Sequence, residues 1–316
     1  MKEQEFKKLL DREKHVKDAK QFYSKQLELL TDLVNYGTWL LPRAYDSSKK
    51  KLEDTIVLGV LLKQVITMTD AIEILVSQAA IYPAFLEARA ALEASIFIDW
   101  ILKEDANRKA KYYYVSNLRN ERKWCLRMIK GTPQQQRFSI DIDGLKNFIA
   151  PENQNLEELA KRQLAEVNRI LAQDSYKQID AHFDGLYKRT KRESNWYQPL
   201  ATSASIRTVA RDVGRLPEYV IFYDNMSKVV HTASYRDHIK FASKGTIVSF
   251  EPIRWLEGVV DLASSIVSVC LATYTSVLKY YRRGELKDFG SKYLTDWRDS
   301  FINMQRINYI FNGAKR

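Results

Sequence analysis

Apolar positions along this chain recur mostly at three- and four-residue spacing, the period of a helix face, and almost nowhere at the alternation of a strand. Glu3 to about Leu41 carries Phe6, Leu9, Leu10, Phe22, Leu27, Leu30, Leu33 and Val34 at that spacing. Its front, up to Gln26, is mostly charged and is expected to project or pack loosely, and Pro42 is expected to end it. Asp46-Ser47-Ser48 offers N-cap chemistry for a second helix, Lys50 to about Ala80, dense in Ile, Val and Leu. A corner at Ile81-Tyr82-Pro83 then turns the chain into Tyr82–Leu102, making the two helices antiparallel neighbours.

Further helices are predicted from Asp105 to about Lys130, Glu152 to about Gln173, Tyr176 to Tyr187, Ser205 to Val213, Pro217 to His231, Ile253 to about Tyr281 and Phe289 to Phe311. Gly131–Gln136 reads as polar loop, and Ser139–Ala150 as ambiguous, with a short helix around Leu145–Ile149. Thr232–Lys244 reads as an ordered loop, and Thr246–Phe250 as a short strand with no evident partner. The fold class is therefore all-α: a bundle of long antiparallel helices with at most a minor strand near 246–250. Residues 1–45 form an N-terminal helix, and 46–316 a single helical domain with core segments at 50–104 and 216–285.

Tyr82–Leu102 is the segment around which the rest is organised. Phe85, Leu86, Leu92, Ile96, Phe97, Trp100 and Ile101 cannot share one narrow stripe, so protein should cover most of its circumference. Glu87, Arg89, Glu93 and Asp99 interrupt this apolar run. Arg89 and Glu93 are four apart and share a face, so they can pair; a charge there is either paired or costly.

Composition sharpens the picture in three ways. Few turn formers, 11 Gly and 7 Pro in 316 residues, favour long elements over a sandwich or barrel. Fifty Lys and Arg against 39 Asp and Glu give a net charge of +11, which makes RNA, DNA, a nucleotide or a membrane surface a plausible anionic partner. Two cysteines, Cys125 and Cys270, supply neither a disulfide framework nor a zinc spacing, and the charged N-terminus lacks a signal-like apolar stretch; both fit a cytoplasmic protein. Val259–Leu278 has the length of a membrane span, but Asp261 and its hydroxyl side chains favour a buried helix, and no second comparable span is evident.

The sequence contains no GxGxxG, GxxxxGK[ST], GxSxG, HExxH or CxxC, so it implies no cofactor and no metal. The helix after Asp105 interleaves Tyr112, Tyr113, Tyr114 and Trp124 with Lys and Arg. That pattern suits single-stranded nucleic acid, but suits better an amphipathic helix with its aromatics inside. The run Lys188–Arg192 reads as a solvated loop. Of four histidines, His15 and His182 read as surface residues; His238 falls in the ordered loop and is taken as a candidate binding residue. His231 ends the run Tyr223-x3-Ser227-x3-His231, whose spacing stacks the three on one helical face. A Tyr, Ser and His on an inward face form either a site or a satisfied core network. If this helix packs on Tyr82–Leu102, then Arg89, Glu93, Tyr223, Ser227 and His231 form one constellation, with Arg89, Glu93 and His231 the catalytic candidates.

Two resemblances bear on this. DAIEILVSQAAIYPAFLEARAALEASIFIDWIL (Asp70–Leu102), YDNMSKVVHTAS (Tyr223–Ser234) and FEPIRWLEGVVDLASSIVSV (Phe250–Val269) resemble, in order over roughly residues 50–285, an uncharacterised bacterial family of helical proteins of unknown function with RxxxE and YxxxSxxxH segments. The resemblance makes Arg89, Glu93, Tyr223, Ser227 and His231 its hallmark positions and implies no activity. More distantly, the chain resembles HEPN domains, helical bundles that often serve as RNases in toxin and phage-defence systems. Their motif places an Arg shortly before a His; the residues four to six before His231 are Ser227, Met226 and Asn225, so Arg89 would have to supply that charge from another helix. Three functions stay open: an RNA-directed, ribonuclease-like effector; a non-enzymatic binding or assembly module, with a protein partner or a second copy; and a pocket for a small anionic ligand or nucleotide read by Arg89.

Overall fold

The computed structural model describes residues 10–143, 154–200, 205–223, 226–227, 229, 238–242, 247–250 and 252–305. Nearly all of its regular structure is helical, as the apolar period predicts. The exception is an antiparallel hairpin, Ile239–Ala242 with Ile247–Phe250, in which Ile239 lies opposite Phe250. The strand expected at 246–250 thus has a partner inside the stretch read as loop; four residues of alternation are too few to signal it. Contacts group the described chain into two compact units: residues up to Glu104 with those from Ile206 on, and Asp105–Ser205.

Four long helices build the first unit: an N-terminal helix (Arg12–Ser47), a second helix (Leu52–Ser77, with a π-helical stretch at Thr55–Leu62), a central helix (Ile81–Lys103) and a long C-terminal helix (Val259–Tyr281). Each packs against two others in a closed ring, the arrangement of a four-helix bundle. Leu30, Leu33, Leu40, Leu58, Leu62, Ile72, Leu92, Ile96, Ile98, Ile101 and Tyr274 are fully buried at its centre. Two polar side chains deep in this core, Tyr274 and Thr69, are bonded, as their burial demands. The Tyr274 hydroxyl donates to the carbonyl of Leu33 (2.8 Å), and Thr69 meets Cys270 Sγ at 3.3 Å. At Gly37 the helices approach so closely that a Cβ would overlap the Tyr274 hydroxyl and Ile66.

Local stop signals gave way to tertiary contacts in two places. The N-terminal helix runs through Pro42 to Ser47. Its last turn is held from outside: Arg43 pairs with Glu285 (2.7 Å), and Arg282 donates to the carbonyl of Arg43 (3.2 Å) and to the Ser47 hydroxyl. The front of the same helix is broken at Tyr23 (φ −131°, ψ 24°), which is buried with Ala19 and Gln26. The corner into the central helix lies at Gln78-Ala79-Ala80, not at Ile81–Pro83. Ala79 adopts φ +54°, and its carbonyl accepts from the backbone N–H of Trp255 (3.0 Å). Past the long C-terminal helix, a 3-10 turn (Arg283–Glu285) leads into the expected last helix, which runs through residues 286–302 without a break and carries a π-helical stretch at Tyr293–Trp297. It folds fully buried Trp297 against Tyr36 and Phe289. The expected stretch to Phe311 reaches beyond the described residues.

Two described helices, not one, are long and apolar enough to cross a membrane: Leu52–Ser77 and Val259–Tyr281. Half or slightly more of each one's most apolar stretch is buried in the protein, which is what the core helices of a bundle require.

In the second unit, Ala106–Met128 packs against Pro133–Asp141, Gln154–Leu171 and Asp174–Thr190. The stretch read as polar loop is helical from Pro133, because Thr132 accepts from the N–H of Gln135 (3.1 Å) and proline suits the first turn. Tyr112 turns inward against Phe183, and Arg119 and Arg122 converge on Asp180, whereas Trp124 is half exposed beneath the Arg127 guanidinium. Leu145–Ile149 lies outside the described residues.

Candidate functional site

The central helix presents Arg89 and Glu93 one turn apart, and they pair: Nε donates to Glu93 Oε1 at 3.0 Å. A π-helical turn, Tyr219–Tyr223, delivers the third member. Arg89 Nη2 donates to the Tyr223 hydroxyl at 2.7 Å, and the guanidinium carbon lies 4.6 Å from the centre of the Tyr223 ring. Tyr219 stacks on Tyr223 at 4.4 Å and 18°. Tyr219 escaped the sequence reading; the YxxxY repeat at 219–223 was its signal.

Burial disfavours the charge on Arg89, but Tyr223 and Glu93 outweigh it, so the guanidinium is held more firmly protonated than usual. Burial, and then the neighbouring Glu93 carboxylate, push the Tyr223 phenol well above its ordinary range, so it stays neutral and keeps its proton to donate. The pair is not sealed: the Arg89 and Glu93 side chains are 19% and 28% exposed. Among the described residues only Glu93 and Tyr223 bond to Arg89, which leaves part of its N–H fork for a ligand.

His238 comes to the same helix from the hairpin. Its exposed ring meets the edge of Tyr82 at 4.4 Å. Tyr82 precedes Arg89 by seven residues, two turns on the same face and about 10 Å along the axis. Half-buried Ser227 makes no described contact with Arg89 or Glu93, and His231 lies outside the described residues. The structure therefore unites Arg89, Glu93 and Tyr223, and puts His238 on their face.

A second arginine cluster lies further along the central helix, and its arginine went unnoticed in the sequence. Arg215, 7% exposed, bonds Ser95, Asp99 (3.1 Å) and Glu218 (2.8 Å). Ser95 also meets Thr273 of the long C-terminal helix at 2.6 Å. Burial raises the Asp99 carboxyl above its usual range, and Arg215 offsets that only in part. His182 is likewise not the surface residue expected; half-buried, its Nδ1 is 2.8 Å from the Tyr112 hydroxyl. Among the described residues, no three His, Cys, Asp or Glu side chains are grouped so as to hold a metal ion.

Over residues 55–246 the chain matches a family of unknown function, DUF5677. It belongs to that family. Arg89, Glu93, Tyr223, Ser227, His231 and His238 all fall within the DUF5677 match, and Phe250–Val269 lies beyond it. No curated protein and no solved structure matches the chain. Membership in DUF5677 brings no activity with it, so chemistry rests on the side chains.

Proposed function

We propose that this DUF5677 protein is an RNA-directed effector with ribonuclease-like chemistry, acting in the bacterial cytoplasm in defence or toxin biology. The observation that carries the reading is Arg89: oriented by Glu93 and Tyr223, firmly charged and still partly open, on a chain with a net charge of +11. A fixed guanidinium with free donors is suited to the charge that builds on a phosphodiester as it is attacked. In this reading His231 takes the proton of the ribose 2′-hydroxyl. The 2′-oxygen bonds to phosphorus as the bond to the 5′-oxygen breaks, and a second acid, for which His238 is the candidate, returns a proton to the leaving oxygen. The reaction is tested by incubating the full chain with RNA and with the same strand 2′-deoxy at its nucleotides. Cleavage of RNA only, lost in Arg89→Ala and in His231→Ala, supports it. No cleavage, or equal cleavage by all three proteins, ends it.

One observation favours a non-enzymatic binding module instead: Arg89, Glu93 and Tyr223 satisfy one another, as in a structural pin. Melting curves separate the two readings. A pin predicts that Glu93→Ala unfolds several degrees earlier than the wild type, whereas a site predicts a small shift.

A further inference from the structure

Far from Arg89 in sequence, the unit spanning Asp105–Ser205 holds its own polar cavity of about 500 Å³, where the start of Ala106–Met128 meets the first half of Asp174–Thr190. From the first helix Asn107, Arg108 and Lys111 line it, and from the second Asp174, Gln178 and His182. His182 is oriented rather than loose. Tyr112, itself buried, holds Nδ1 at 2.8 Å and packs edge-on to the imidazole at 5.9 Å, which leaves Nε2 as the nitrogen for a ligand. The Arg108 side chain is 61% exposed and its only described ion pair is a long one, 3.8 Å to Asp105, so its donors are largely uncommitted. The surrounding unit is the more basic part of the chain, with 18 Lys and Arg against 12 Asp and Glu between 105 and 205.

We infer that this cavity binds a nucleoside phosphate: Arg108 and Lys111 take the phosphate, His182 Nε2 bonds to it, and Asp174, Asn107 and Gln178 read ribose and base. The mixture of groups argues for that class. A site for bare phosphate would gain nothing from a carboxylate in its wall, whereas ribose hydroxyls and base amino groups need acceptors. A volume of about 500 Å³ suits a mononucleotide, being within the usual range for small-ligand pockets. The same chemistry is carried by a free nucleotide and by the 5′-phosphorylated end of an RNA strand.

Isothermal titration of the full chain with AMP, with inorganic phosphate and with a 5′-phosphorylated oligoadenylate tests the inference. Saturable binding of AMP, weakened tenfold or more in the Arg108→Ala/Lys111→Ala double variant, supports a free nucleotide. Binding of the oligonucleotide alone, weakened to the same degree, supports an RNA end. His182→Gln serves as a second variant, its melting temperature checked against the wild type. No binding of AMP or oligonucleotide, affinity unchanged in the double variant, or phosphate binding as tightly as AMP overturns it. Arg89→Ala should leave the affinity for AMP intact, so loss of RNA cleavage and loss of nucleotide binding are read separately.

Discussion

Two arginines meet the central helix in the first unit, and they are built for opposite ends. Arg215 is 7% exposed, holds three side chains and ties Ser95 and Asp99 to Glu218; through Ser95 it reaches Thr273. Arg89 is 19% exposed, holds two side chains and keeps N–H groups that no described residue takes. Both satisfy the rule that a charge among apolar side chains must be paired. Only one is closed around its partners. Pairing alone therefore does not separate scaffold from site on this helix; the openness left after pairing does.

The largest effect that would sharpen this contrast is expected at the closed cluster. Arg215→Ala leaves Asp99 in a buried position without its cation and should destabilise the fold by about 3–5 kcal/mol, read by urea denaturation. It should do so without any specific effect on ligand binding in protein that remains folded. A loss below about 1 kcal/mol would mean that the two clusters do not differ in kind.

The same cluster carries a pH signature. Because burial raises the Asp99 carboxyl above its unfolded value, its contribution to stability is fully present below the usual aspartate range, near pH 4, and is lost as pH rises through the folded value. Asp99→Asn should therefore lose less stability than the wild type between pH 4 and pH 7. A wild-type curve that rises over this interval relative to the variant would show that Arg215, not burial, dominates at Asp99.

How far the contrast was legible in the sequence follows from where its residues lie. The RxxxE spacing at Arg89–Glu93 fixes a shared helix face, and the apolar run around it fixes burial; both survive in the structure. Tyr223 needed a tertiary guess, which the apolar face of its helix made reasonable. Arg215 offered no periodicity, since it precedes a short turn, Leu216–Glu218, and its role depends on Ser95 and Asp99 more than a hundred residues earlier. The long helices were readable from spacing, but the run through Pro42 and the 78–80 corner were not. There the contacts of Arg282 and Trp255, distant in sequence, override local preference.

A smaller effect is expected at the open cluster. Glu93→Ala removes a pair more than a quarter exposed on its acidic side, so stability should fall by about 1 kcal/mol or less. The change should instead show in RNA cleavage, because Arg89 loses the partner that orients it. A drop of several kcal/mol would make Arg89–Glu93 a structural pin after all and erase the distinction from Arg215.

The smallest effect tests the tyrosine that both orients Arg89 and keeps its proton. Tyr223→Phe deletes the hydrogen bond from Arg89 while preserving the stack on Tyr219, so at neutral pH it should cost about 0.5 kcal/mol. The sign changes with alkalinity. Burial and Glu93 raise the Tyr223 phenol in the folded chain, so the unfolded chain releases this proton first. The wild type's stability is then fully present below about pH 10, the ordinary tyrosine value, and declines as pH rises beyond it. Phenylalanine has no such proton, so the gap between wild type and Tyr223→Phe should narrow above pH 10, as followed by denaturant melts at pH 8, 10 and 11. A gap of constant size would mean that the phenol ionises as easily in the folded chain as outside it, and that the Arg89 cluster is far wetter than its 8% exposed tyrosine suggests.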